Sequence, residues 1–190
     1  MSKSRCPWCG TDPSYRTYHD REWGLPVRDE RTLFEQLCLE GQQAGLSWLT
    51  VLRKRERYRS QFHNFEFEAV ARMPDRSLEM RLRDAGLIRN RLKIFAIRNN
   101  GRALRKLHDS GNTLTSLLWR FVDGQPIQHH FVHQSDVTSR NQQSDAMSHA
   151  LKQSGFSFCG TTICYALMQA TGLVNDHLVS CYRHAQLVKN

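Results

Sequence analysis

Glu40 stands where an apolar stripe runs out. From Asp29 to Leu39 the residues Leu33, Phe34, Leu37 and Cys38 recur at the spacing of one helical face. The next residue is a carboxylate, not another core side chain. Gly41 and Gly45 loosen the backbone, Gly45 reading as the residue just past a helix end. Ser47 can cap a new helix and leaves Trp48 in its first turn. A carboxylate and an indole are thus held on either side of a glycine-bearing corner. Two chemistries fit: a hydrogen-bonded core pair, or a small pocket in which Trp48 stacks on a flat ring and Glu40 accepts from its edge.

A second set of residues has the chemistry of metal ligands. Cys6 and His19 lie near the start of the sequence and His177 and Cys181 near its end. The last two are four apart, so a helical turn aims both side chains the same way. Two cysteines and two histidines form a closed tetrahedral set of the structural zinc kind, which would join two chain ends that otherwise fray. Cys9 and His184 are alternative donors, and spacing does not choose among them. Cys6-Pro7-Trp8-Cys9 lacks both the βαβ surroundings of a redox motif and the second Cys-x-x-Cys of a zinc ribbon. Cys38, Cys159 and Cys164 lie in apolar stretches and read as inert core residues.

A third candidate is the turn from Asp84 to Asn90, which carries Gly86 and joins two helices. It would point the N–H groups of the second helix outward, where a phosphate can dock, with Arg89, Arg91 and Lys93 flanking it. The alternative is a plain helix connection with a glycine cap.

The elements that must position these groups are all helical. Asp12-Pro13 starts a helix over Ser14 to Arg21; the Glu40 helix follows, then one over Ser47 to Phe62. Glu66 to Met73 and Asp75 to Asp84 are short helices separated by Pro74, and a long one runs from about Asn90 to Leu107. Thr113 to Val122, Gln142 to Ser154 and Thr161 to Thr171 complete the set. Asp123 to Ser139, with His129, His130 and His133, reads as a solvated loop. No period-two alternation is sustained, so the fold class is all-α.

The 190 residues suit one domain with a real core. No long apolar run is present, and nothing after Met1-Ser2-Lys3-Ser4-Arg5 makes a signal segment, so a cytoplasmic monomer with no membrane partner is expected. Lysine and arginine number 27 against 18 acids, a net +9 that suits a polyanion.

With these pieces assembled, the chain resembles the bacterial 3-methyladenine DNA glycosylase I family, of the helix-hairpin-helix glycosylase superfamily. The resemblance spans nearly the whole length. It rests on Tyr18-His19-Asp20 with Glu22-Trp23-Gly24, on Leu39 to Trp48, on Gly160-Thr161-Thr162-Ile163-Cys164-Tyr165, and on Gly172-Leu173-Val174-Asn175-Asp176-His177 followed by Cys181. It implies an all-helical fold and a monofunctional enzyme that excises N3-methyladenine from alkylated double-stranded DNA. It also implies structural Zn²⁺ on Cys6, His19, His177 and Cys181, and a base pocket of Glu40, Tyr18 and Trp48 with Trp8, Tyr15 and Trp23 nearby. Its hairpin corresponds to Ala85 to Arg89. Asp176, beside a candidate ligand, is given no catalytic role.

Two other classes compete. A non-catalytic DNA-binding module would explain the charge and the turn but not the Glu40–Trp48 corner. A structural zinc protein that docks another protein would explain the ligand set but not the basic turn.

Overall fold

Six polar side chains set the main helix starts. Asp12, Asp29, Ser47, Asn90, Thr113 and Asn141 each accept a hydrogen bond from a first-turn N–H that no helical carbonyl reaches. The computed structural model describes residues 3–188. The reading of Met1 and Ser2 lies outside them.

The helices are α1 (Pro13–Arg21), α2 (Glu30–Gln43), α3 (Trp48–Leu52), α4 (Arg55–Gln61), α5 (Phe67–Ala71) and α6 (Asp75–Arg81). There follow α7 (Arg91–Asp109), α8 (Leu114–Trp119), α9 (Gln142–Gln153), α10 (Thr161–Ala170) and α11 (Tyr182–Val188). Short 3₁₀ turns include Pro7–Cys9 and Gln134–Asp136. The fold is mostly helical, and among the described residues no helix is long and apolar enough to cross a membrane.

Helix α2 is the axle. It packs on α3, α7, α8 and α10, and Leu33, Phe34, Leu37, Cys38 and Leu39 are all but fully buried. Each such large apolar side chain contributes about 1.5–3 kcal/mol. The helix runs unbroken through Gly41 and ends at Ala44, with Gly45 beyond it at φ +77°. That left-handed conformation is what a glycine supplies at little steric cost, and it turns the chain sharply into α3. On the far side of the core, α7 presses on α5 at Gly101, where an added Cβ would sit 3.1 Å from the Ala71 nitrogen and the Phe67 carbonyl oxygen.

The structure corrects four expectations. The span Ser47 to Phe62 is two helices, α3 and α4, broken at Arg53 and Lys54. Asp75 to Asp84 stops being helical after Arg81. The loop Asp123 to Ser139 contains strand β1 (Ile127–Gln128), which pairs in parallel with β2 (Val174–Asn175). His177 to Cys181 is a non-helical bend, so the four-residue spacing does not act through a helical turn there.

Candidate functional site: an aromatic cavity beside a cysteine–histidine cluster

Glu40, Tyr18, Trp48, Trp8, Tyr15 and Trp23 line one cavity of about 340 Å³, near the small end of the range for ligand sites and sized for a single heterocycle. Trp8 comes from the 3₁₀ turn Pro7–Cys9, Tyr15 and Tyr18 from α1, and Trp23 from the segment after it. Glu40 comes from the last turns of α2 and Trp48 from the start of α3, across the Gly45 corner. The aromatic rings brace one another. Trp8 lies 5.0 Å from Tyr15 and 4.9 Å from Trp23 between centroids, and Tyr18 lies 5.5 Å from Trp48. The rest of the wall comes from Thr162, Tyr165 and Gln169 of α10, Asp176 after β2, and Gln134, Val137, Thr138 and Ser139.

Glu40 is 2% exposed. Its Oε1 accepts a 2.9 Å hydrogen bond from Gln36 Nε2, one turn earlier on α2, and its Oε2 has no partner among the described residues. Burial pushes its carboxyl up to about 8, with the Gln36 hydrogen bond opposing that rise. The group is therefore protonated near neutrality and becomes a carboxylate readily when a cation arrives. Burial also raises the Tyr18 hydroxyl, with Glu40 adding to the effect. The Trp48 indole nitrogen is likewise buried, with no partner among the described residues.

Asp176 is the element of this wall that spacing did not place. Its side chain is buried, and it is held by His129 Nδ1 at 2.6 Å, Tyr165 hydroxyl at 2.7 Å and Gln169 Nε2 at 2.7 Å. Histidine 129, read from sequence as solvated, is thus tied to the cavity, and the β1–β2 pairing sets the register that brings it there. An apolar run ending in Asn175-Asp176 was the available signal, and it does not name a partner.

Behind Trp8 and Trp23 lies the cluster. The ligand atoms of Cys6, His19, His177 and Cys181 all fall within 4.8 Å of one another, and all four residues are buried. Cys6 Sγ and Cys181 Sγ each lie 3.5 Å from His177 Nδ1, and Cys181 Sγ lies 3.5 Å from His19 Nε2. Tetrahedral zinc at ordinary bond lengths requires sulfur–nitrogen edges of about 3.6 Å, so the donor set fits the metal. The outward ring nitrogens are taken as well. His19 Nδ1 meets Asp20 Oδ1 at 2.8 Å, and His177 Nε2 meets the Trp23 carbonyl at 3.2 Å, the pattern that orients ligating histidines. Cys9 Sγ instead donates to the Cys6 carbonyl at 3.2 Å, and His184 Nε2 meets the His129 carbonyl at 2.8 Å. Neither belongs to the cluster.

The turn after α6 is fastened to α4. Arg57 Nε donates to Asp84 at 2.7 Å, Lys54 Nζ donates to the Ala85 carbonyl at 2.7 Å, and the Ile88 N–H donates to the Tyr58 hydroxyl at 3.0 Å. Gly86 is needed for closeness and not for a left-handed cap, since an added Cβ would meet Arg57 Cγ at 2.7 Å. Arg89 is exposed, and Arg91 is exposed beside Glu79 at 2.7 Å. Lys93 is a correction. It is 7% exposed, and its Nζ donates to the carbonyls of Gln42 at 2.8 Å and Ala44 at 2.5 Å. Its charge closes the C-terminal end of α2, where cations are favoured, and is withdrawn from any phosphate.

Comparison with known proteins agrees with this geometry. The family model for methyladenine glycosylase matches residues 8–184. The DNA-3-methyladenine glycosylase 1 of Escherichia coli (strain K12) is 51% identical over 177 residues, covering 93% of this chain and 95% of the relative. A crystal structure of 3-methyladenine DNA glycosylase I superposes with a TM-score of 0.94 at 49% identity, covering 95% of this chain and all of that one. A variant of 3-methyladenine DNA glycosylase I in complex with 3-methyladenine superposes at 0.90 with 35% identity, over 94% of this chain and 96% of that one. With the family model spanning the cavity and three of the four cluster residues, this chain belongs to the methyladenine glycosylase family.

Proposed function

We propose that this protein is a DNA-3-methyladenine glycosylase, which flips N3-methyladenine out of alkylated double-stranded DNA and hydrolyses its N-glycosidic bond to leave an abasic site. The observation that carries the reading is Glu40 Oε2, a buried carboxyl oxygen with no partner among the described residues, in a cavity walled by aromatic rings. Such a cavity suits a flat heterocycle, and its free oxygen suits that heterocycle's amino edge.

Adenine methylated at N3 is cationic in DNA and leaves without a strong acid. The C1′–N9 bond breaks with its electron pair passing to the base, which departs neutral. Water oxygen bonds to C1′ and releases its proton to solvent. The protein's task is extrusion, selection and charge placement. Glu40 ionises against the cationic base, accepts from its exocyclic amine and so holds the nucleotide in the reactive position. The electron-rich aromatic faces favour the same positive ring. Leu46 is apolar, 43% exposed and next to Gly45, which supports it as the side chain that would fill the gap left in the duplex. No lysine is among the described residues lining the cavity, which supports a monofunctional enzyme with no Schiff-base step.

One structural Zn²⁺ on Cys6, His19, His177 and Cys181 would cross-link the two ends of a single glycosylase domain spanning 1–190. The α6–turn–α7 unit would serve as the helix-hairpin-helix element, with Gly86, Arg89 and Arg91 facing the DNA backbone. A cytoplasmic monomer meets these requirements. The test is release of free 3-methyladenine from methylated duplex DNA, with 7-methylguanine followed in the same reaction. Selective release of 3-methyladenine is expected. Salt-dependent DNA binding with no base released by folded, zinc-loaded protein would replace the enzyme with a binding module.

A further inference from the structure

We infer that Tyr58, Gln42 and Lys93 are positioning residues that lock the turn after α6 to the Gly45 corner, so that the group holding the DNA backbone and the group entering the duplex act as one rigid frame during base extrusion. This rests on the glycosylase reading above and adds to it residues that touch neither base nor phosphate.

The turn and the corner lie far apart in the sequence, and a run of buried hydrogen bonds joins them. The Tyr58 hydroxyl accepts from the Ile88 N–H at 3.0 Å and donates to Gln42 Oε1 at 3.0 Å. Gln42 Nε2 donates to the Lys93 carbonyl at 3.0 Å, and Lys93 Nζ returns to the carbonyls of Gln42 and Ala44. All three side chains are buried. A helix end is ordinarily closed by the residues just after it. The end of α2 is closed instead by a lysine 49 residues beyond Ala44, in the first turn of α7. Past the corner, α4 carries Lys54 and Arg57, which hold the same turn at Ala85 and Asp84. One turn thus grips the corner from both flanks.

Burying a hydroxyl, an amide and an ammonium costs desolvation that apolar side chains of the same volume avoid. What the polar run adds is a fixed distance, because a fully satisfied buried network rigidifies the parts it joins. Such rigidity has a use here. Taking a base out of the stack costs unstacking and bends the duplex. That load falls between the strand held at the turn and the gap that Leu46 would fill. A frame that yields under it loses base extrusion and keeps both phosphate contact and the empty cavity's affinity for a free base.

The experiment compares wild type with Tyr58→Phe, which removes only the bridging hydroxyl, and with Lys93→Met, which cuts the second link. Base release from methylated duplex DNA is followed in single turnovers with enzyme in excess. Affinity is measured for free 3-methyladenine, for intact duplex and for a duplex carrying a tetrahydrofuran abasic analogue. Both variants should release 3-methyladenine roughly ten- to a hundredfold more slowly, the loss expected of a misplacement of about an ångström. Their affinities for free base and intact duplex should match wild type, while their preference for the abasic duplex falls. A merely structural role would lower all of these together. Release at the wild-type rate, an unchanged preference for the abasic duplex, or free-base affinity that falls in step with release overturns the frame and leaves the glycosylase standing. No release of 3-methyladenine by wild type overturns both. If one variant melts below the assay temperature, the other decides.

Discussion

The cysteine–histidine cluster and the aromatic cavity share a wall, for Trp8 and Trp23 line the cavity while packing on His19 at 5.3 Å and on His177 at 4.6 Å. Their polar chemistry is finished to different degrees. Around the cluster the outward nitrogens of both histidines are engaged, and Asp20 is held in turn by Arg5 at 2.8 Å. In the cavity, Glu40 and Trp48 each keep an unpartnered atom. A set of donors whose outward groups are all engaged suits a resident ligand, whose binding free energy would be folding free energy. A set with open donors and acceptors costs stability while empty and recovers it only with a transient ligand.

The contrast can be broken most decisively at Glu40. Glu40→Gln should lower base excision by about a hundredfold or more, the loss expected when a charge-placing group is removed, with DNA affinity and metal content unchanged. Excision within a few-fold of wild type would put Glu40 on the structural side of the comparison. At the cluster the effect should fall on stability. Cys6→Ser is expected to lose zinc and about 3 kcal/mol or more of unfolding free energy, and a chelator should act likewise on wild type. Cys9→Ser should keep the metal and cost about 1 kcal/mol, the worth of one hydrogen bond. Equal losses in metal analysis and thermal melts would show that Cys9 shares the site.

The same contrast predicts a pH dependence. Folded Glu40 keeps its proton up to about pH 8, whereas in the unfolded chain it ionises near 4.5. The stability it contributes is fully present below the unfolded value and is lost as pH rises toward 8. Glu40→Gln should therefore gain on wild type between pH 5 and 8, by up to a few kcal/mol. Denaturant midpoints for the two proteins that stay parallel across that range would show that no such proton is held. The smallest effect concerns the turn. Arg89→Ala should reduce the salt dependence of DNA binding by about one counterion. Lys93→Met should leave that slope alone and lower the melting temperature, because its amine is spent on two carbonyls of α2. A changed slope in Lys93→Met would return that charge to the DNA face.

What was legible in the sequence follows the same divide between local and distant causes. Asp12, Ser47 and Asn90 are read correctly as helix starts because capping involves three or four adjacent residues. The Glu40–Trp48 corner is visible because a carboxylate interrupts an apolar stripe and Gly45 marks the turn. Lys93 is misjudged because its partners lie 49 and 51 residues away, and a basic residue near a turn looks alike whether it faces solvent or a helix end. The β1–β2 pairing has only two residues per strand, too few to show a period. The link from His129 to Asp176 depends on that pairing and stays equally hidden. The bend at His177 brings Cys181 into the cluster by a path that helical spacing does not describe.

The joining of the two chain ends also has a consequence for the order in which the protein can be made. The cavity takes Trp8, Tyr15 and Tyr18 from early in the sequence and Tyr165, Gln169 and Asp176 from late in it, with Cys181 closing the cluster behind them. A ribosome reaches the first group long before the last, and the early aromatic residues have no wall to lean on meanwhile. A nascent chain stalled in α9 carries Glu40 and Trp48 and has nowhere to put a base.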